Sequence, residues 1–228
     1  MIGIIAAEEK EMQEIRNVMT NTREKKYKNL TIHIGEISDK QCILVKAGVG
    51  KVNAARTTQL LIDKFKVTEI INLGAAGGLN ENLKCGDIVI GKELVQHDFD
   101  ITAFGHKKGY ITDLGITFYS DKELIKKAYE TMKKVDKDDN NICIGNIATG
   151  DIFCTNKIEA KRIRQEFNSD CIEMEGAAIA QVCTLEAIPF IAIKSISDTP
   201  NGNNNIEYDE FLEAASKRCA NFLVEFVK

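Results

Sequence analysis

The chain has 228 residues, of which 44% are hydrophobic and 28% charged, and its net charge is −4. This composition is ordinary for a globular protein and excludes a disordered chain, and the acidic balance argues against nucleic acid as the main partner. The seven cysteines include no CxxC pair and do not cluster with the three histidines, so we expect reduced thiols in a cytoplasmic protein and no zinc site.

Short apolar runs alternate along the chain with longer amphipathic stretches. In chain order, the pattern predicts strands at residues 2–6, 30–37, 41–46, 69–73, 87–95, 142–148, 171–174 and 190–196. It predicts helices at residues 8–19, 51–65, 122–135, 156–166, 175–185 and 207–227. Several strands are continuously apolar, which is typical of burial on both faces, so we expect helices to flank a central sheet in one α/β domain spanning residues 1–228.

Outside these elements, residues 199–205 are rich in turn-forming residues, which is typical of a mobile lid over a site. No stretch approaches the ~18 apolar residues of a membrane span. The first residues turn acidic at once and lack the basic start of a signal peptide. We therefore expect no contact with a membrane.

Acidic residues recur where predicted strands end. Glu11 follows the first strand, and Asp151, Glu175 and Asp198 follow three later ones. Ligands of α/β proteins bind at the carboxyl ends of the strands, so these ends would form a cleft lined with carboxylates if they converge. Such a cleft suits proton transfer and the binding of sugar hydroxyls better than the binding of phosphate.

Each of these residues also has a purely structural interpretation. By spacing alone, Glu11 is a solvated helix charge, and Glu175 is a helix N-cap. Ser197 and Asp198 could cap a turn, and Phe153 could belong to the hydrophobic core. Local pattern therefore leaves both interpretations open for each residue.

Ordered motifs along nearly the whole chain resemble one family, the 5′-methylthioadenosine/S-adenosylhomocysteine nucleosidases of the nucleoside phosphorylase superfamily. The motifs are IGIIAAEEKEM from residue 2, AGVGKVNAA from 47, IINLGAAGGL from 70, GDIVI from 86, HDFDITAFG from 97, ATGDIF from 148, IEMEGAAIAQVC from 172, IKSISD from 193 and YDEFLEAA from 208. The resemblance implies a three-layer sandwich with a central mixed, twisted sheet. It also implies hydrolysis of the adenine–ribose bond of 5′-thio nucleosides without a metal or cofactor.

The resemblance implies a role for each matching residue. Glu11 would activate water, and Asp198, oriented by Ser197, would protonate adenine N7. The other implied substrate contacts are Val49, Ala76, Gly77, Phe153, Cys154, Glu173, Met174, Glu175, Lys194 and Tyr208. Phe104 and His106 would reach the site of a partner subunit, which implies a homodimer. The chemistry agrees, because adenine leaves more readily when protonated, and a second carboxylate can deliver water from the opposite face.

The chain departs from the family pattern at four positions. Lys194 replaces an arginine, which keeps the charge but loses the planar fork. Ala75 replaces a serine, Thr112 a proline and Glu8 an apolar residue. These changes leave the preferred 5′ substituent open, including a substrate of the deoxyfutalosine type.

Two alternative functions remain. A purine nucleoside phosphorylase would need arginines to bind phosphate, but no arginine precedes Arg16 and residues 74–78 carry no basic side chain. A nucleoside-binding sensor without turnover would have lost at least one of Glu11, Glu175 and Asp198. All three are present, which favours an enzyme.

Overall fold

The computed structural model describes residues 1–136, 140–198 and 207–228, and for residues 207–210 it describes the backbone alone. The predicted lid at residues 199–205 therefore lies outside the described residues. The strands are β1 (Ile2–Ala6), β2 (Thr20–Tyr27), β3 (Leu30–Ile37), β4 (Lys40–Lys46), β5 (Glu69–Gly78), β6 (Ile88–Gln96), β7 (Thr117–Tyr119), β8 (Ile142–Thr149), β9 (Cys171–Glu173) and β10 (Phe190–Asp198). The helices are α1 (Glu9–Asn17), α2 (Lys51–Phe65), α3 (Lys122–Val135), α4 (Lys157–Phe167), α5 (Gly176–Leu185) and α6 (Glu207–Phe226).

Every predicted strand and helix is present, and two strands were not predicted. β2 is exposed along almost its whole length, so its sequence has no apolar alternation, and its ladder with β3 alone holds it in the sheet. β7 is only three residues long. β5 continues through residues 74–78, beyond the predicted end of this strand at residue 73, because this segment pairs with β10 and β9.

The strands form one mixed sheet in the order β10-β6-β8-β9-β5-β1-β4-β3-β2. β10 also pairs with β5, so the five strands β10, β6, β8, β9 and β5 close into a ring, and β1, β4, β3 and β2 extend from it. The sheet contains parallel pairs such as β1–β5 and antiparallel pairs such as β10–β6, which confirms the mixed sheet.

Helices cover both faces of the sheet, as predicted. One hydrophobic cluster joins α2 and α5 to the sheet, and a second joins α1, α3 and α6 to its other face. Successive residues of one strand divide between the clusters: Ile5 and Ile70 belong to the first, whereas Ile4 and Ile71 belong to the second. This division explains why the strands are continuously apolar.

None of the helices in the described ranges combines the length and apolar character needed to cross a bilayer. The carboxyl ends of β1, β5, β9 and β10 instead meet at one edge of the ring, where the acidic residues of the sequence come together.

Candidate active site

A cleft of about 560 Å³ opens at this edge, and we call it the central cleft. It is lined by eleven of the residues predicted for the site, namely Glu11, Val49, Ala76, Gly77, Phe153, Cys154, Glu173, Met174, Glu175, Ser197 and Asp198. Ala7, Glu8, Ala75, Ile152 and Ile172 complete the lining.

Glu11 is held rigidly at the start of α1. Its side chain is only 7% exposed, so the interpretation as a solvated helix charge is wrong. Its Oε2 accepts the backbone N–H groups of Ala7 and Glu8, each at 2.9 Å, and its Oε1 accepts that of Ala75 at 2.9 Å. Burial raises the pKa of Glu11, although these backbone bonds and the charge of Lys194 act against the rise.

Glycine at position 74 makes room for this carboxylate. A Cβ on Gly74 would lie 2.6 Å from Oε1 of Glu11, closer than non-bonded atoms approach. The sequence motif at residues 70–79 did not indicate that a side chain from another element fills this space.

Lys194 forms a buried ion pair behind the cleft wall. Its Nζ lies 2.8 Å from Oε2 of Glu173, and it is not among the residues that line the cleft. Burial alone would lower the pKa of Lys194, but the negative charges of Glu173, Glu175 and Glu11 raise it above its ordinary value, so the ammonium stays charged.

Glu173 also holds the N-terminus of α5. Its carboxylate accepts the N–H groups of Glu175 at 3.1 Å and of Gly176 at 2.8 Å, together with the hydroxyl of Thr149. The N–H of Ala177, which an N-cap side chain would otherwise bind, is accepted by the Thr149 hydroxyl at 2.8 Å. Thr149 was not predicted as part of the site.

Glu175 occupies the N-cap position of α5, yet its carboxylate makes no capping hydrogen bond. Its Oε1 instead accepts the N–H of Gly50 at 2.8 Å, and none of the described residues donates to its Oε2. Burial, followed by the charge of Glu173, raises the pKa of Glu175 to about 7. The carboxylate therefore keeps one oxygen available to a ligand.

A bulge in β10 turns two consecutive side chains toward the same cleft. The register with β5 shifts between Ile196 and Asp198, and Ser197 and Asp198 both line the cleft although neighbours in a regular strand point to opposite faces. The Ser197 hydroxyl lies 2.7 Å from Oδ1 of Asp198, which fixes the orientation of that carboxyl.

Apolar side chains form the open side of the cleft. Phe153 is 51% exposed and Val49 45% exposed, so neither belongs to the core in this structure. The loop that carries Phe153 is held by Asp151, whose Oδ1 accepts the N–H of Lys51 at 2.8 Å.

Besides Lys194, three predicted site residues are not among the described residues that line the cleft, namely Phe104, His106 and Tyr208. Phe104 is 81% exposed, and the ring of His106 stacks on Tyr110 with centroids 4.4 Å apart. Their role at the site of a partner subunit stays a prediction. The Tyr208 side chain lies outside the described residues.

The electrostatics of the central cleft are strongly one-sided. Among the described residues no lysine, arginine or histidine lines it, whereas five carboxylates do: those of Glu8, Glu11, Glu173, Glu175 and Asp198. Carboxyl groups in different environments can act as an acid and as a base in one reaction. The arrangement suits proton transfer to and from a bound molecule that carries no phosphate.

Comparison with known proteins gives a consistent result over the whole chain. A family model described as the phosphorylase superfamily matches residues 1–228. The 5′-methylthioadenosine/S-adenosylhomocysteine nucleosidase of Staphylococcus haemolyticus is 38% identical over 229 residues, which cover 100% of this chain and 99% of that protein.

Solved structures with similar folds cover the chain equally well. The crystal structure of the nucleosidase of the same name from Neisseria meningitidis, in complex with methylthio-immucillin-A, has a TM-score of 0.94 at 36% identity and covers 100% of this chain and 98% of its own. The futalosine hydrolase of Helicobacter pylori has a TM-score of 0.92 at 32% identity, covering 99% and 96%.

Proposed function

Since the chain belongs to the phosphorylase superfamily, and within it to the 5′-methylthioadenosine/S-adenosylhomocysteine nucleosidases, we propose that it uses its cleft carboxylates to hydrolyse the N-glycosidic bond of both nucleosides. It is an N-glycosyl hydrolase whose products are adenine and the 5-thio-substituted ribose. The reaction would serve methionine salvage and remove a by-product of methyl transfer.

One observation carries the assignment of roles. Glu11 lies against Gly74 and Ala75 of β5, and a Cβ on Gly77 of the same strand would lie 3.5 Å from Oδ2 of Asp198. Two or three residues of strand separate these positions, which is roughly 7–10 Å at ~3.3 Å per residue. That spacing supports a nucleoside and a water between an acid and a base, as in inverting glycoside hydrolysis.

In the proposed reaction Asp198 donates a proton to adenine N7 while the bond between C1′ and N9 breaks. The ribose develops positive charge, and a water held by Glu11 attacks C1′ from the opposite face. Glu11 takes the proton that this water loses as the new C1′–O bond forms. Oε2 of Glu175 accepts a hydrogen bond from a ribose hydroxyl. Lys194 offsets the charge of the neighbouring Glu173.

A purine nucleoside phosphorylase is a weaker alternative. Phosphate binding calls for arginine or lysine side chains directed at the anion, and no such side chain from the described residues lines the cleft. The likeness to a futalosine hydrolase favours a second candidate within the hydrolases, an enzyme for another 5′-substituted adenosine such as 6-amino-6-deoxyfutalosine.

The test is release of free base from methylthioadenosine, S-adenosylhomocysteine, adenosine and inosine, each with and without phosphate. We expect adenine release from the two thio-nucleosides at the same rate in both conditions. Asp198→Asn should lower kcat by a factor of about 10³ or more, since general acid catalysis contributes 10²–10⁴. The matched control is Asp63→Asn, on the exposed face of α2, which should change kcat less than twofold.

Other results would refute this assignment. Release that requires phosphate would establish a phosphorylase. Adenine release only from a deoxyfutalosine-type nucleoside would establish the second candidate. Full activity of Asp198→Asn would remove Asp198 from its catalytic role.

We also propose that the chain forms one domain, works in the cytoplasm and assembles as a homodimer. The buried thiols of Cys42, Cys171, Cys183 and Cys219 support a reducing compartment. The unbroken sheet supports one domain. The exposed Phe104 supports a partner subunit that covers it.

A further inference from the structure

Glu8 is the one carboxylate of the central cleft that the proposed reaction does not use. The other four are nine-tenths buried or more. Each of them binds a neighbour: Glu11 and Glu175 bind backbone N–H groups, Glu173 binds Lys194, and Asp198 binds Ser197. Glu8 is half-buried, and as the N-cap of α1 its side chain accepts the backbone N–H of Glu11.

Among the described residues, backbone N–H groups at the start of α1, and no cationic side chain, offset the charge of Glu8. The adjacent Glu9 pairs with Arg16 at 2.8 Å and with Lys46 at 3.6 Å, whereas no cation of the described residues pairs with Glu8. Since no lysine, arginine or histidine from this part of the chain lines the cleft either, a ligand that reaches Glu8 meets a net negative potential.

Burial indicates which part of a bound nucleoside reaches Glu8. Asp198, which faces the base in the proposed reaction, is only 4% exposed, and Val49 is 45% exposed. The backbone carbonyl of Ala7 accepts the N–H of Gly48 at 3.1 Å. This bond places Glu8 beside the loop that contains Val49, on the open side of the cleft. The base occupies the closed end, so the 5′ substituent extends toward the open side and Glu8.

We propose that Glu8 is a specificity-determining residue that favours 5′ substituents that are neutral or end in an ammonium group and disfavours those that end in a carboxylate. This inference rests on the proposed function and deepens it. S-adenosylhomocysteine carries both an ammonium and a carboxylate on its 5′ substituent, which leaves no net charge there, and methylthioadenosine carries no charge there, so both count as neutral and fall within the favoured class. A nucleoside whose 5′ substituent ends in a carboxylate alone falls outside it.

The experiment uses three adenosines whose 5′-thioether carries a propyl, an aminoethyl or a carboxymethyl group. Their kcat/KM values are compared in the wild-type chain, in Glu8→Gln and in the matched control Glu9→Gln, which removes one acid from the adjacent, exposed position. We expect Glu8→Gln to lower the ratio of kcat/KM for the aminoethyl substrate to kcat/KM for the carboxymethyl substrate. The decrease should be about three- to tenfold, as for charges several ångströms apart near a protein surface. The propyl substrate and the Glu9→Gln variant should change less than twofold.

Equilibrium binding separates this inference from the proposed function. The dissociation constants of the same three nucleosides are measured on Asp198→Asn with and without Glu8→Gln, so that the ratio is obtained whether or not hydrolysis occurs. A ratio that shifts as predicted supports the role of Glu8. A ratio that Glu8→Gln leaves unchanged, in turnover and in binding, overturns it, while absence of turnover from every nucleoside overturns only the proposed reaction.

Discussion

Three glutamates share one lysine at the inner end of the cleft. If Glu11, Glu173 and Glu175 were all ionised beside Lys194, the buried group would carry two uncompensated negative charges, which burial strongly disfavours. Burial raises the pKa of both Glu11 and Glu175, and the charges of Glu173 and Glu11 raise that of Glu175 further. A raised pKa suits the proposed role of Glu11, because a general base works best when its pKa is near the working pH.

This cluster predicts a pH dependence of activity. Because the pKa of Glu175 is raised to about 7, half of this residue is protonated at that pH, and only the ionised form fully stabilises a ribose that develops positive charge. We expect kcat/KM for methylthioadenosine to fall as the pH drops below about 7. The measurement is a profile of kcat/KM from pH 5 to pH 9.

The variant Glu175→Gln assigns this pH dependence to its residue. It should lower kcat/KM by about 10² or more and abolish the fall near pH 7, while Glu186→Gln, at the opposite end of α5, should keep both. A fall near pH 7 that persists in Glu175→Gln would assign the titration to another group, such as Glu11.

At the scale of elements, the site depends on contacts among three loops. Lys51, at the start of α2, bonds through its N–H to Asp151, and its Nζ lies 2.6 Å from Oδ1 of Asp98. Asp98 closes the ring by accepting the N–H of Asp151 at 2.9 Å. This ring of hydrogen bonds among Lys51, Asp98 and Asp151 connects two loops of the site. One contains Gly50, whose N–H binds Glu175, and the other contains Phe153.

Loss of this ring should loosen both loops together. We predict that Asp98→Asn lowers the free energy of unfolding by about 1–3 kcal/mol, because it removes a charged hydrogen bond from a partly buried group. It should also raise the KM for methylthioadenosine about tenfold, with a smaller effect on kcat. Urea unfolding and steady-state kinetics measure the two effects.

Asp100→Asn provides the matched control. Asp100 lies two residues away, is exposed and bonds only to Thr102 among the described residues. Asp100→Asn should leave the free energy of unfolding and the KM for methylthioadenosine nearly unchanged. Equal effects of the two variants would show that the ring does not position the loops.

The sequence predicted those elements whose burial leaves a periodic pattern. β1 is continuously apolar and β10 begins with an apolar run at residues 190–193, and both were predicted. The exposed β2 was not predicted, because its partner strand rather than its composition makes it a strand. Acids at strand ends predicted a carboxylate cleft. The ring of Lys51, Asp98 and Asp151 was not predicted, since no local pattern pairs residues 47 to 100 positions apart.

At the scale of the whole molecule, several apolar side chains on the open side of the cleft stay exposed within the described part of the chain. Val49, Ile152 and Phe153 line the cleft and are each about half exposed. Val52, in the first turn of α2, and Phe104 are more exposed still. A second copy that covers this side would bury them and exclude water from the developing charge, which supports the proposed homodimer.

Subunit complementation tests whether the partner completes the site. Asp198→Asn should be nearly inactive, and Phe104→Ala should raise KM for methylthioadenosine, because the site loses an apolar wall. If Phe104 serves the partner's site, a mixed dimer of the two variants contains one fully native site. Dissociating, mixing and reassociating the variants should therefore give a kcat/KM above the mean of the separate proteins. A value equal to that mean, or a monomer in light scattering, would show that each chain builds its site alone.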